Sequence, residues 1–322
     1  CPNHLPILVH MQREERTPVR RRTSQYEILW ERAGELPELV EKMWAATQTN
    51  GNLASVTAGL HAVMQNLQGW SRRRFGNVMC ELEKTRRKLD HLLQTDGDQH
   101  EIRKFSDNMN ELLYQEELLW LQRSRIDWLK EGDRNTKFFH NRSVWRARRN
   151  KISKLKNDDG VWQSTPSVME LMASSFFQEL FTRDPSLNAD EIVGLIEKKV
   201  TDEMNETLCK EFSETEITDA LLQIGPLKAP GPDGLPARFY QRNWAVLKDS
   251  VVAAVRLFFT TGHMPSETNA TAIVLIPKSD QPETLKDFRP ISLCSVLYKI
   301  VAKCLVNRLR PLLGDIVSLN QS

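Results

Sequence analysis

The 322 residues carry 44 basic and 42 acidic side chains for a net charge of +2, and 40% of them are hydrophobic. That length allows about two domains with a sizeable core, and so balanced a charge does not by itself point to nucleic acid. Glycine, at 14 residues, falls below the roughly 7% average, which favours helices over turn-rich β architecture.

Five widely spaced cysteines without a C-x-x-C pair argue against a zinc site or a disulfide framework, and make a reducing intracellular compartment, nucleus or cytoplasm, the default. The most apolar stretches, Val251 to Phe259 and Ala272 to Ile276, are far shorter than the roughly 20 residues a bilayer requires, so no membrane partner is expected. No charged-then-apolar leader opens the sequence. A start at Cys1 and a stop at Ser322 without a terminating element suggest a piece of a longer polypeptide.

In chain order, Cys1 to His10 reads as a lone strand, and Met11 to Arg22 as a polar, basic connector. A helical region begins near Tyr26. Val78, Leu82, Thr85, Leu89 and Leu92 follow a 4-3 spacing, repeated by Ile102, Phe105, Met109, Leu112, Glu116 and Leu119 after Asp96-Gly97-Asp98. This predicts an antiparallel helix hairpin with Gly97 in the turn.

From Trp120 to Lys156 the composition shifts to twelve basic residues against three acidic, about +9, leaving about −7 for the rest. Trp120, Trp128, Phe138, Phe139 and Trp145 are interleaved with these charges, and Arg142, Trp145, Arg146, Arg148 and Arg149 form the densest patch. Such a pattern lets cations meet phosphates while rings stack on bases. It equally describes a solvated basic helix whose aromatics face the core.

Ile152 to Trp162 alternates around Asp158-Asp159-Gly160, the signature of a β-hairpin whose aspartates need only turn chemistry, not a metal. A helix is predicted over Ser167 to Phe181, and Ser213-Glu-Thr-Glu216 is a capping box opening a helix through Ile224. Four prolines and three glycines between Ile224 and Pro236 predict a shaped loop, in which Gly231 and Gly234 allow positive φ and Pro232-Asp233-Gly234 makes a tight turn beside Lys228 and Arg238. A helix from Arg238 to Thr261 follows. Thr271 to Lys278 then reads as a buried strand, and Lys286 to Cys294 as a second, presenting Lys278 and Arg289 near a hairpin. A point charge at Lys278 suits a triphosphate, and a planar guanidinium at Arg289 suits phosphate or a base face. In the closing helix, Val296 to Leu313, an apolar stripe (Leu297, Ile300, Val301, Cys304, Leu305, Leu309) is core, and Lys299, Lys303 and Arg310 line another face.

The ordered set Lys228-Ala-Pro-Gly-Pro-Asp-Gly-Leu-Pro236, Leu275-Ile-Pro-Lys278, Asp287-Phe-Arg-Pro-Ile-Ser-Leu293, Tyr298-Lys-Ile300, Asn307-Arg-Leu309 and Leu319-Asn-Gln-Ser322 resembles the amino-terminal fingers of LINE-type, non-LTR retrotransposon reverse transcriptases. Asp127 to His140 and the Asp158-Asp159 hairpin are similar to the linker before the polymerase in plant members. Asn3-His4-Leu5-Pro6-Ile7 resembles the last strand of the apurinic-type endonuclease that such elements carry, with His4 retained as a relic and Pro2 and Asn3 replacing Ser and Asp. The resemblance implies RNA-directed DNA polymerisation with an RNA template, a DNA primer and two Mg²⁺ on palm aspartates. The Phe/Tyr-x-Asp-Asp turn that carries such aspartates in the family does not occur in this sequence, nor does the rest of the endonuclease domain, so the chain as given is expected to lack catalytic residues, to hold no Mg²⁺ and to have no nuclease activity.

Carried over residue by residue, Lys278 and Arg289 look like the grip on the incoming nucleotide. Lys228, Asp233 and Gly234, with Lys299 and Lys303, look like the template-binding side. The fold class that follows is mostly α with a smaller α/β part: an endonuclease remnant at 1–12, a helical linker with an antiparallel hairpin and a basic patch at 13–165, a helical connector at 166–212, and partial fingers without the palm at 213–322. The alternative is a non-catalytic nucleic-acid-binding or interaction module built on the hairpin and the patch. An intron-encoded maturase shares the fingers, and the endonuclease-like start speaks against it.

Overall fold

The computed structural model describes residues 25–95, 97–124, 136–182 and 198–317. The lone strand with His4, Asp96 of the hairpin turn, Trp128 and the closing Leu319 to Ser322 lie outside them. The architecture is mostly helical, with two small two-stranded antiparallel ribbons among the described residues.

A 3-10 turn, Ile28–Arg32, leads into α1 (Leu36–Ala45) and α2 (Leu53–Arg74). Asn52 caps α2 by accepting from the Ser55 amide at 2.8 Å. The predicted hairpin follows as α3 (Val78–Gln94) and α4 (Gln99–Ser124). Val78, Leu82, Thr85 and Leu89 are buried along one seam of α3, as the 4-3 spacing requires, and Asn108 donates across to Thr85 at 3.4 Å. Then come α5 (Thr136–Arg149), the ribbon β1 (Leu155–Lys156) and β2 (Trp162–Gln163), and α6 (Pro166–Phe181). Gly160, at φ 77°, makes the β1–β2 turn, in which Asn157 accepts from the Val161 amide at 2.8 Å.

Beyond residue 197 the chain runs through α7 (Asp202–Cys209) and α8 (Glu214–Leu222), which opens on the predicted capping box of Ser213 and Glu216. The helix expected over Arg238 to Thr261 is instead two, α9 (Ala237–Arg242) and α10 (Trp244–Thr261). Asn243 breaks it at φ −106°, ψ 22°, its amide side chain returning to the Phe239 carbonyl at 2.8 Å. After α11 (Ser266–Asn269), β3 (Ala272–Pro277) pairs with β4 (Phe288–Leu293), and α12 (Val296–Leu309) runs on through a 3-10 turn to α13 (Leu313–Ile316).

One apolar core joins Tyr26, Trp30, α1 and α2 to α8, α9, α10 and α12, so side chains on both sides of residue 213 interdigitate. A smaller cluster, Leu155, Leu285 and Phe288 with Met169, Met172 and Phe176, seats the β3–β4 ribbon against β1 and α6. Two expectations of burial fail. Leu305 and Leu309 of α12 are exposed, the buried stripe being Val296, Leu297, Ile300, Val301 and Cys304. The first half of β3, Ala272 to Val274, is exposed, because a two-strand ribbon offers each face to solvent unless another layer covers it.

Candidate nucleic-acid interface

The antiparallel register puts Val274 opposite Ile291 and Ile276 opposite Arg289. Directly opposed residues share a face, so Val274, Ile276, Arg289 and Ile291 lie on one side of the ribbon, and Ile273 and Leu275 on the other. Lys278 continues the first side, diagonal to Arg289. Register and alternation together thus place both cations on one face.

That face looks across a cleft of about 670 Å³ at α5 and the end of α4, lined there by Trp145, Arg146 and Arg149 of α5 and Arg123 of α4, with Val274, Ile276 and Ile291 opposite. Phe139 is buried and His140 meets Trp120 edge-on at 4.4 Å, so α5 is anchored on the end of α4. Arg146 donates to the Ser124 carbonyl at 2.8 Å, a positioning contact within the same seam. Trp145 is 49% exposed. The guanidinium carbons of Arg142 and Arg149 lie over its ring at 5.0 and 5.3 Å, one from the preceding helical turn and one from the following. Arg148 is exposed beside them. Of the interleaved aromatics described, Phe139 belongs to the interior, Trp120 is half-buried, and Phe138 and Trp145 are at the surface.

The tip of the ribbon is tied to the linker. Arg149 meets Asp280 at 2.9 Å, Lys156 pairs with Glu283, and the Lys156 amide donates to the Glu283 carbonyl at 2.8 Å. Lys278 folds back, its ammonium donating to the Lys286 carbonyl at 2.6 Å. Asp287 accepts from the amides of Glu283 and Thr284, which hold its carboxyl below the usual range. Arg289 is exposed.

The 224–236 loop lies elsewhere, against α2 and α12. Gly234 has the expected positive φ of 74°, and its carbonyl accepts from the Tyr26 amide at 3.0 Å. Gly231 does not have one. Its role is close approach, since a Cβ there would stand 2.5 Å from the Ser295 nitrogen. Lys299 donates to the Ala229 carbonyl at 2.9 Å, and burial lowers its pKa. Burial also lifts the Asp233 carboxyl to about 6, against its contact with the Leu235 amide and the nearby charges of His61 and Lys299. Lys228 is exposed and Lys303 half-buried. Lys299 and Asp233 therefore shape the loop, while Lys228 remains on its outer side.

Sequence reasoning missed Asp280, Glu283 and Glu31, and counted Arg123 only among the twelve basic residues. Glu31 takes a bidentate contact from Arg238 at 2.7 Å and a second arginine, Arg242, at 3.0 Å. No local pattern marks these residues, whose partners lie far along the chain. For Mg²⁺, no group of three His, Cys, Asp or Glu among the described residues has the arrangement to hold a cation, and Asp158 and Asp159 sit in the β1–β2 turn. Among the described residues no helix is long and apolar enough to cross a membrane.

Fold and cleft together define a mostly helical protein with a basic, aromatic-bearing cleft beside a two-stranded ribbon. No protein-family model matches the chain. It is 32% identical over 201 residues, 62% of its length, to a curated protein described as the transposon TX1 uncharacterized 149 kDa protein of Xenopus laevis. The chain spans 15% of that protein.

Proposed function

We propose that this chain is a nucleic-acid-binding part of a non-LTR retrotransposon protein, the fingers side of an RNA-directed DNA polymerase. RNA template and DNA primer would lie along the α5–ribbon cleft, with Lys278 and Arg289 toward the incoming nucleotide. The observation that carries it is convergence. The basic helix α5 and the β3–β4 ribbon, more than a hundred residues apart in sequence, line one cleft through Trp145, Arg146 and Arg149 on one side and Val274, Ile276 and Ile291 on the other, while Lys278 and Arg289 stand at its margin, outside the lining. Similarity to a transposon protein supports the same origin. A second reading, a binding module without chemistry of its own, is favoured by the Arg142–Trp145–Arg149 stack, which can engage phosphate with no help from a catalytic centre.

Fluorescence anisotropy with an RNA–DNA hybrid tests binding. Three or four phosphate contacts give a slope of log K against log salt of about −3 to −4, and a flat response would refute the reading. Replacing Arg289 by Ala should weaken nucleoside triphosphate binding more than hybrid binding. Nucleoside triphosphate binding that depends on Arg289 then separates the polymerase fingers from the module, which binds the hybrid alone.

A further inference from the structure

At the Trp145 stack, guanidiniums from one turn before and one turn after lie 5.0 and 5.3 Å from the centre of the indole and compete with any base for its π-surface. What the stack offers is two braced, planar cations, a geometry suited to phosphate oxygens. In the free protein one of them is engaged: Arg149 contacts the Asp280 carboxylate at 2.9 Å, with 42% of the Arg149 side chain and 90% of the Asp280 side chain exposed. So exposed a pair is weak and easily exchanged. Asp280 stands in the 278–284 turn, which a second pair, Lys156 with Glu283, holds against the linker, so the turn stays close when the first pair opens.

We infer that Asp280 is a built-in stand-in for a nucleic-acid phosphate. Binding exchanges its carboxylate for a backbone phosphate on Arg149, so that α5 reads the sugar–phosphate backbone and not the bases. The inference rests on the nucleic-acid reading above and names the ligand group, the residue that receives it and the residue that competes. The turn is thereby an acidic gate on the cleft, weakening contact with scattered anions and yielding to a polymer that supplies several phosphates at once.

The test is a double-mutant cycle on the full chain: wild type, Asp280→Asn, Arg149→Gln and the double variant, titrated with one mixed-sequence RNA–DNA hybrid at several salt concentrations. Asp280→Asn should tighten binding by about two- to fivefold at low salt, the range an exposed ion pair supplies. The gain should shrink as salt rises and vanish in the Arg149→Gln background. The same gain with Arg149 absent would mean general repulsion by Asp280 and overturn the proposal, as would no gain at all. Inorganic phosphate at matched ionic strength should leave the difference intact; if it erases it, the position is a free-anion pocket and the proposal fails. Wild type that binds without this coupling refutes only the gate. Wild type that shows no salt-dependent binding refutes the nucleic-acid reading itself and the gate with it.

Discussion

Asp233 shows how one buried carboxyl can set a pH response. It lies on a loop pressed between α2 and α12, faced by His61, Lys299 and Tyr240, and burial raises its pKa to about 6. An acid whose folded pKa exceeds its unfolded value of about 3.9 binds its proton better when folded, so its contribution is complete below that value and is lost as pH rises through about 6. Asp233→Asn should therefore stabilise the fold at pH 7.5 by something on the order of 1 kcal/mol, seen as a higher thermal midpoint, and give no gain at pH 4. Equal midpoints for the two proteins at pH 7.5 would show the carboxyl to be better solvated than its surroundings indicate. The same loop marks the limit of glycine reasoning. Composition identifies Gly231 and Gly234 as special, but only Gly234 needs its φ; the demand on Gly231 comes from Ser295, sixty-four positions away.

At the level of elements, α12 is fastened by Arg308, whose side chain is 10% exposed. It donates to the carbonyls of Leu208, Lys210 and Glu211, meets Glu216 at 2.8 Å and lies 3.4 Å over the Phe212 ring. One guanidinium thus closes the turn between α7 and α8 onto α12. Arg308→Met leaves those acceptors without their donor and should cost about 3 kcal/mol in urea unfolding, with Lys a poor rescue because it cannot fork. Arg308 is also the leading reason that Glu216 is held at about 2. A depressed carboxyl contributes stability above its unfolded pKa and loses it as pH falls, so wild type should weaken between about pH 4.5 and 2 while Arg308→Met shows a flatter acid limb.

Helix starts were legible from the sequence because their signals are local, as at the Ser213–Glu216 box and the 4-3 seam of α3. The break at Asn243 was not, since neither Pro nor Gly announces it. Nor were the pairs Arg149–Asp280 and Arg238–Glu31, 131 and 207 residues apart, which only the tertiary fold creates. Alternation showed that each strand of the hairpin carries one cation; their shared face needed the register of the folded ribbon, and the basic helix opposite it needed the tertiary fold.

For the molecule as a whole, the interior is common property of the early helices and the late ones. Tyr26 touches Phe239 edge-on at 5.4 Å, and the buried faces of α1 and α2 complete the surface presented by α9 and α10. A piece beginning at residue 213 would leave that surface bare. Expressed alone, 213–322 should be insoluble or lack a cooperative transition, whereas 25–322 should unfold in one step by circular dichroism; a soluble, cooperatively folding 213–322 would show the late helices to be self-sufficient.

The bond from Glu31 to Arg238 also has a meaning in time. At about 5–20 residues per second, a ribosome needs on the order of 10–40 s to travel between those two codons. Through that interval α1 and α2 hold out an apolar face with nothing to meet it, while the α3–α4 hairpin, whose contacts are near in sequence, is free to form at once. Synthesis therefore runs through a half-built stage with a sticky surface and a finished hairpin side by side, which is where a chaperone would engage the nascent chain.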